Sequence, residues 1–268
     1  MFDEQVSLGL DQDGYITNPC SADRIQPDFQ PLVNVVSDML YSDFKNKIHS
    51  LYLYGSVAQG KALPEKSDLD VSVVFTEPLS ALDRNRLKEI SHEIARKHSV
   101  ISKLDIDPGY LEEVIHKREK YRWHFWLKHC CCCITGEDLS KRFGHMKPSI
   151  QIAYELNSDL KAFIETLDVE FSHVSKVKRR QILSKKILRT AYTLIAEKDG
   201  SWYTELEHCM RAAMPYYPEY EQDLQLALNI SKGVLAEDKQ VNRFIERLGS
   251  KLIETLNNAK PFSATYRE

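Results

Sequence analysis

The sequence predicts an α/β (α+β) domain with a small mixed sheet, followed by an all-α helical-bundle domain. Strand-like runs are confined to the segment before Tyr110: Leu51-Tyr-Leu-Tyr54 and Leu69-Asp-Val-Ser-Val-Val-Phe75 are short, β-branched or aromatic, and bounded by turn residues. From Tyr110 onward the strand signals nearly vanish, and apolar residues recur at helical spacing. With 268 residues, 43% hydrophobic and 28% charged, the chain has an ordinary globular composition and length enough for one large domain or two modest ones.

In chain order, Leu32, Val35, Val36, Met39, Leu40 and Phe44 predict a helix within 28–50 that leads into the first strand. A small-residue turn, Gly55-Ser-Val-Ala-Gln-Gly60, follows that strand. The second strand begins at Ser67-Asp68. Side chains alternate along it, so Asp68 and Asp70 point one way while Leu69, Val71 and Val73 enter the opposite layer. After Pro78, the spacing of Leu82, Leu87, Ile90 and Ile94 predicts an amphipathic helix ending near His98. A third strand is expected within 100–109, with Pro108-Gly109 ending it after Asp107. Helices are then expected over 110–129, 148–166, 177–197, 203–214, 218–232 and 238–258, separated by breaks such as Asp199-Gly200. The domains are placed at 1–115, with a core of about 28–110, and 116–268.

The motif at the strand ends carries the chemistry. Two carboxylates on one strand face suit a hard divalent cation such as Mg²⁺, one or two ions, which takes oxygen ligands from protein and substrate phosphates together. Gly55 permits close backbone approach to a phosphate, and Ser56 adds a hydroxyl and an amide donor. An isolated Asp-x-Asp is common on solvated strand edges; the ordered string of strand, Gly-Ser, polar loop and Asp-x-Asp is far more specific. Over Leu51 to Phe75 this string resembles the nucleotidyltransferase superfamily of the DNA polymerase beta type.

That resemblance implies a third carboxylate in an apolar-acid-apolar setting on a later strand, which Leu104-Asp105-Ile106 supplies. Asp107 shares the face by parity and is the runner-up; Asp105 is preferred because apolar residues flank it on both sides. Asp68 and Asp70 would be metal ligands, and Asp105 would complete a metal site or accept the proton of an attacking hydroxyl as pyrophosphate leaves. Crowded carboxylates would raise one pKa unless a metal is bound.

The stretches Tyr121-Arg-Trp-His-Phe-Trp-Leu-Lys128, Ile134-Thr-Gly-Glu-Asp-Leu139 and Lys186-Ile-Leu-Arg-Thr-Ala-Tyr-Thr-Leu-Ile195 are similar to the helical half of two-domain aminoglycoside adenylyltransferases. This implies ATP as substrate and transfer of AMP to a hydroxyl of a small-molecule acceptor, an aminoglycoside-type antibiotic being one candidate. Lys61, Lys185 and Arg189, with Tyr192 on the face of the last two, are candidate nucleotide contacts. Gln59 stands where many members carry a basic residue, and no lysine opens the helix after Gly200. Trp123 and Trp126 could stack on a sugar or base, but core packing is the better reading. Glu137 and Asp138 read as the capped start of a helix.

Other classes are less favoured. A net charge of −3, from 36 basic and 39 acidic residues, argues against broad nucleic-acid binding, and the basic run at Lys176, Lys178, Arg179 and Arg180 reads as a solvated helix start. No apolar run is long enough to span a bilayer, and Met1-Phe-Asp-Glu-Gln5 lacks the features of a signal peptide, so a cytoplasmic location is expected. Cys20, Cys130 to Cys133 and Cys209 fit a reducing compartment; the Cys130-x-x-Cys133 pair lacks the second pair of a zinc site and reads as packing. The alternatives are an antitoxin-type adenylyltransferase acting on a partner protein and a non-catalytic nucleotide-binding regulator. The long helical half weighs against the first, and the three filled acid positions against the second.

Overall fold

The computed structural model describes residues 8–260. The chain divides into two compact units, one of Thr17–Met146 and one of Lys147 onward joined by the N-terminal residues up to Ile16.

The first unit is built on four strands: β1 (Ile48–Tyr54), β2 (Leu69–Phe75), β3 (Leu104–Tyr110) and β4 (Cys132–Gly136), in the order β3-β2-β1-β4. β1 pairs antiparallel with β2 and β4, while β2 pairs parallel with β3, so the sheet is mixed as expected. Helices α1 (Gln30–Phe44) and α3 (Ala81–Lys97) carry Leu32, Val33, Val36, Leu40, Leu87, Ile90 and Ile94 into one core with Leu51, Leu53, Leu69, Val71 and Val73 of the sheet. Ser80 caps α3, accepting from Asp83 N–H at 3.1 Å while the Asp83 side chain accepts from Ser80 N–H at 3.1 Å. This reciprocal pair satisfies two of the donors that a helix start leaves unpaired. The odd-numbered residues of β2 are thereby fixed inward, and the even-numbered ones are turned to the other face.

That other face has its own, smaller core. Tyr52 and Val74 pack with Val114, Trp123, Leu127, Leu139 and Phe143, contributed by the segment after β3. The segment is helical but interrupted: α4 (Leu111–Ile115), a 3₁₀ turn, a π turn over Lys120–His124 and α5 (Phe125–His129). It then returns as β4, whose register partners lie on β1. The division therefore falls at 146/147 and not at 115/116, because residues 116–146 supply a strand and half a core to the sheet. Pro108 and Gly109 do not end β3 either, since they pair in register with Val73 and Val74. β3 is an edge strand, where proline's missing donor costs no ladder bond, and Gly109 leaves room for the Trp123 ring.

The second unit is helical: α6 (Ile150–Asn157), α7 (Leu160–Glu170), α8 (Lys176–Thr193), α9 (Ala196–Asp199), α10 (Leu206–Ala213), α11 (Glu221–Ser231), α12 (Asp238–Phe244) and α13 (Ser250–Ala259). Buried α8, carrying Leu183, Ile187, Leu188 and Ala191, packs against α6, α7, α10 and α11. Four of its basic residues are paired within the unit: Arg179 with Asp168 at 2.8 Å, Lys186 with Asp159 at 2.7 Å, and both Lys176 and Arg180 with Asp238. No helix among the described residues is long and apolar enough to cross a membrane.

Candidate active site

β1 ends at Tyr54, and the chain turns at Gly55 into the single-turn helix α2 (Gly55–Ala58). Gly55 has φ +72°, and a Cβ built on it would overlap Asp70 Oδ2. Asp70 thus occupies the space that a side chain at position 55 would need, which is a second reason for glycine beside the left-handed backbone. Ser56 is half-buried in the first turn, and its carbonyl accepts from Lys61 N–H at 2.9 Å.

Register aligns the acids. Tyr54 pairs with Asp70 and Asp70 with Asp105, making one row across β1, β2 and β3; the next row is Tyr52, Ser72 and Asp107. Residues paired across neighbouring strands project from the same face, so Asp70, Asp105 and Asp107 share it. Asp68 lies just before β2 and accepts a short hydrogen bond from Ser102 Oγ. Asp105 forms an ion pair with Lys103 at 2.6 Å, and Asp107 accepts from the Tyr54 hydroxyl. Tyr54 meets Trp126 edge to face, with ring centroids 4.8 Å apart, and Trp126 Nε1 donates to Ser72 Oγ at 3.0 Å. One side of the acid cluster is thereby walled by aromatic rings.

The electrostatics follow from this crowding. Burial, and then the charges of Asp105, Asp68 and Asp107, push the Asp70 carboxyl up to about 7, with Lys103 opposing them. Burial also raises Asp107, against the Tyr54 hydrogen bond. Burial beside Asp107 holds the Tyr54 hydroxyl far above its ordinary range, so it remains a donor.

The structure brings Asp68, Asp70 and Asp105 together at the Gly55-Ser56 turn, with Asp107 one row further along the same face. Lys61 is exposed just beyond Gly60. Lys185 and Arg189 lie on α8 of the helical unit, half-buried and exposed. Tyr192 is buried in that unit, its hydroxyl bonded to Ser201 Oγ at 2.9 Å and accepting from Tyr203 N–H at 2.6 Å, so it serves the core and not a triphosphate. Trp123 is core as expected, and Asp138 caps the 3₁₀ turn at Leu139–Arg142 by accepting from Ser140 N–H at 3.1 Å. Tyr54, Ser102, Lys103 and Trp126 are additional polar and aromatic neighbours of the acids. The first three immediately precede the Gly-Ser turn and the third acid strand, a proximity visible in the sequence.

Among the described residues, no three His, Cys, Asp or Glu side chains are arranged to hold a metal ion by themselves. The all-oxygen set of Asp68, Asp70 and Asp105 fits instead a hard cation that one or two carboxylates share with phosphate ligands.

This sheet, turn and row of acids define a nucleotidyltransferase domain: residues 38–128 match the family model described as the nucleotidyltransferase domain, and the protein is an enzyme of the nucleotidyltransferase class. Over 83% of its length the chain is similar in fold to a solved spectinomycin adenyltransferase, AAD(9) from Enterococcus faecialis, crystallised with ATP and spectinomycin. The likeness covers 98% of that chain at 18% identity, with a TM-score of 0.54. No curated protein sequence matches the chain.

Proposed function

We propose that this protein transfers AMP from ATP to a hydroxyl of a small-molecule acceptor, an aminoglycoside-type or aminocyclitol antibiotic being the first candidate, and releases pyrophosphate. The observation that carries the reading is the in-register row of Asp70 and Asp105 beside Asp68 and the Gly55-Ser56 turn. The similarly folded AAD(9) was crystallised with ATP and spectinomycin, which supports the choice of nucleotide and acceptor class.

In this reading Asp68 and Asp70 hold a divalent cation, Mg²⁺, in company with the triphosphate. When bound, the cation supplies charge neutralisation at the phosphates and alignment of the displacement. Asp105 completes the cation site with them or accepts the proton of the acceptor hydroxyl, with Asp107 as the alternative base. The acceptor oxygen forms a bond to the α-phosphorus while the bond to the bridging oxygen of pyrophosphate breaks. Ser56 donates to a phosphate oxygen, and Lys61 is assigned as a further phosphate contact.

The test is pyrophosphate release from Mg-ATP with purified protein across spectinomycin, streptomycin, kanamycin, lincomycin and purified cellular proteins. We expect turnover with a small hydroxylated acceptor and its loss in Asp70→Asn. Turnover with a protein acceptor alone would move the assignment to protein modification. Binding of Mg-ATP without turnover of any acceptor would make the protein a nucleotide-binding regulator.

A further inference from the structure

The acid cluster contains a cation that the transfer reaction sketched above does not use. Lys103 stands two residues before Asp105, directly ahead of the edge strand β3, and its ammonium lies 2.6 Å from Asp105 Oδ1. Its backbone is tied to the segment that carries the other two acids: Leu69 N–H donates to Lys103 C=O at 2.9 Å, and Ser102 N–H donates to Ser67 C=O at 3.0 Å. Ser102 also donates its hydroxyl to Asp68. The Ser102-Lys103 pair therefore contacts two of the three acids and extends the β2–β3 ladder beyond the ends of both strands.

As a stability device this pair has little value. The Lys103 side chain is 57% exposed and that of Asp105 34%, and an ion pair so placed contributes about 0–1 kcal/mol. Its position gives it a different consequence. Four carboxylates, Asp68, Asp70, Asp105 and Asp107, gather on this face, and the Lys103 ammonium sits where a metal would find one of them. The same ammonium also acts on Asp70 and Asp107 against the mutual repulsion of the acids.

We propose that Lys103 is a resident counter-cation of the acid cluster, competing with free divalent cation for Asp105 and yielding to it when the cation arrives with a triphosphate. The proposal rests on the metal-dependent transfer reading. A bare cation must displace the ammonium without compensation, whereas a triphosphate offers the ammonium a new anionic partner as it leaves Asp105. Lys103 thus selects the metal–nucleotide complex over the free metal and keeps Asp105 paired until substrate is present. It acts through Asp105 and is a positioning residue.

The test is calorimetric titration of the full chain with Mn²⁺ alone, without nucleotide, in wild type, Lys103→Met and Lys103→Arg. Removing a unit charge within a few ångströms of a divalent ion is expected to tighten Mn²⁺ binding by about tenfold in Lys103→Met. The gain should shrink as salt is raised to ~1 M, and Lys103→Arg should bind as wild type does. Circular dichroism establishes that the variants are folded; if Lys103→Met were not, Lys103→Gln takes its place. Equal or weaker Mn²⁺ binding in the folded neutral variant would overturn the proposal while leaving the transfer reading intact. Absence of Mn²⁺ binding in wild type, in both Lys103 variants and in Asp70→Asn alike would instead remove the transfer reading, and this proposal with it.

Discussion

Asp70→Asn should inactivate the enzyme and, at alkaline pH, stabilise the metal-free protein. The Asp70 carboxyl is pushed from its ordinary 3.8 to about 7, first by burial and then by Asp105, Asp68 and Asp107. A folded-state pKa above the unfolded one means that the folded protein holds the proton more tightly. The associated stability is present below about pH 4 and is lost as pH rises through about 7. At about 1.36 kcal/mol per pH unit, the loss reaches about 4 kcal/mol, the cost of keeping this buried carboxylate ionised among three others without a metal ion. Asparagine has the same shape and no charge, so it avoids that cost. Urea unfolding in EDTA, followed by the fluorescence of Trp123 and Trp126 in the same unit, should show Asp70→Asn close to wild type near pH 4. At pH 8.5 it should be more stable by about 2 to 4 kcal/mol, and added Mg²⁺ should stabilise wild type alone. A variant no more stable than wild type at pH 8.5, with a difference that does not grow with pH, would refute the crowding argument.

Gly55→Ala should abolish transfer with the fold retained, because a methyl there overlaps Asp70 Oδ2 and the left-handed backbone adds about 1–2 kcal/mol of strain; steady-state turnover and circular dichroism together check this. Asp105→Asn should lower kcat by about 10²–10⁴, and Asp107→Asn and Tyr54→Phe by less than about tenfold; the reverse order would make Asp107 the base. Tyr52→Phe should cost about 1–3 kcal/mol in urea unfolding, since it leaves Leu139 N–H, now 2.8 Å from the Tyr52 hydroxyl, unpaired in the core. Burial pushes the Cys20 thiol up to about 12 and that of Cys132 up to about 11, so iodoacetamide at pH 7.5 should label both far more slowly than a free thiol, as peptide mass mapping would show.

The parts legible in the sequence are those governed by local periodicity. Asp68 and Asp70 could be placed on one face because parity along a strand is a period-two property, and the turn before their strand is marked by Gly55-Ser56; Asp105 joined them through the resemblance to the nucleotidyltransferase superfamily. The helix over Ala81–Lys97 was legible for the same kind of reason, through the apolar spacing of Leu82, Leu87, Ile90 and Ile94. What escaped is non-local. β4 is five residues long, begins with two cysteines, shows no alternation and joins β1 through an irregular register, so only its partner some 80 positions earlier makes it a strand. The unit boundary moved with it, since once residues 132–136 belong to the sheet the helices that lead there must cover its open face. Two contacts beside the acids escaped on the same ground: Tyr54 reaches Asp107 across β2, and Trp126 reaches Ser72 from a helix. A row of acids can therefore be read from one strand's parity, but the groups that set their charge state come from register, and register is decided by which strands pair. Asp70 makes the point quantitative. Its strand partner Asp105 and the neighbouring Asp107 come from a separate stretch, and they raise the carboxyl together with burial and Asp68, while Lys103 of that same stretch opposes them.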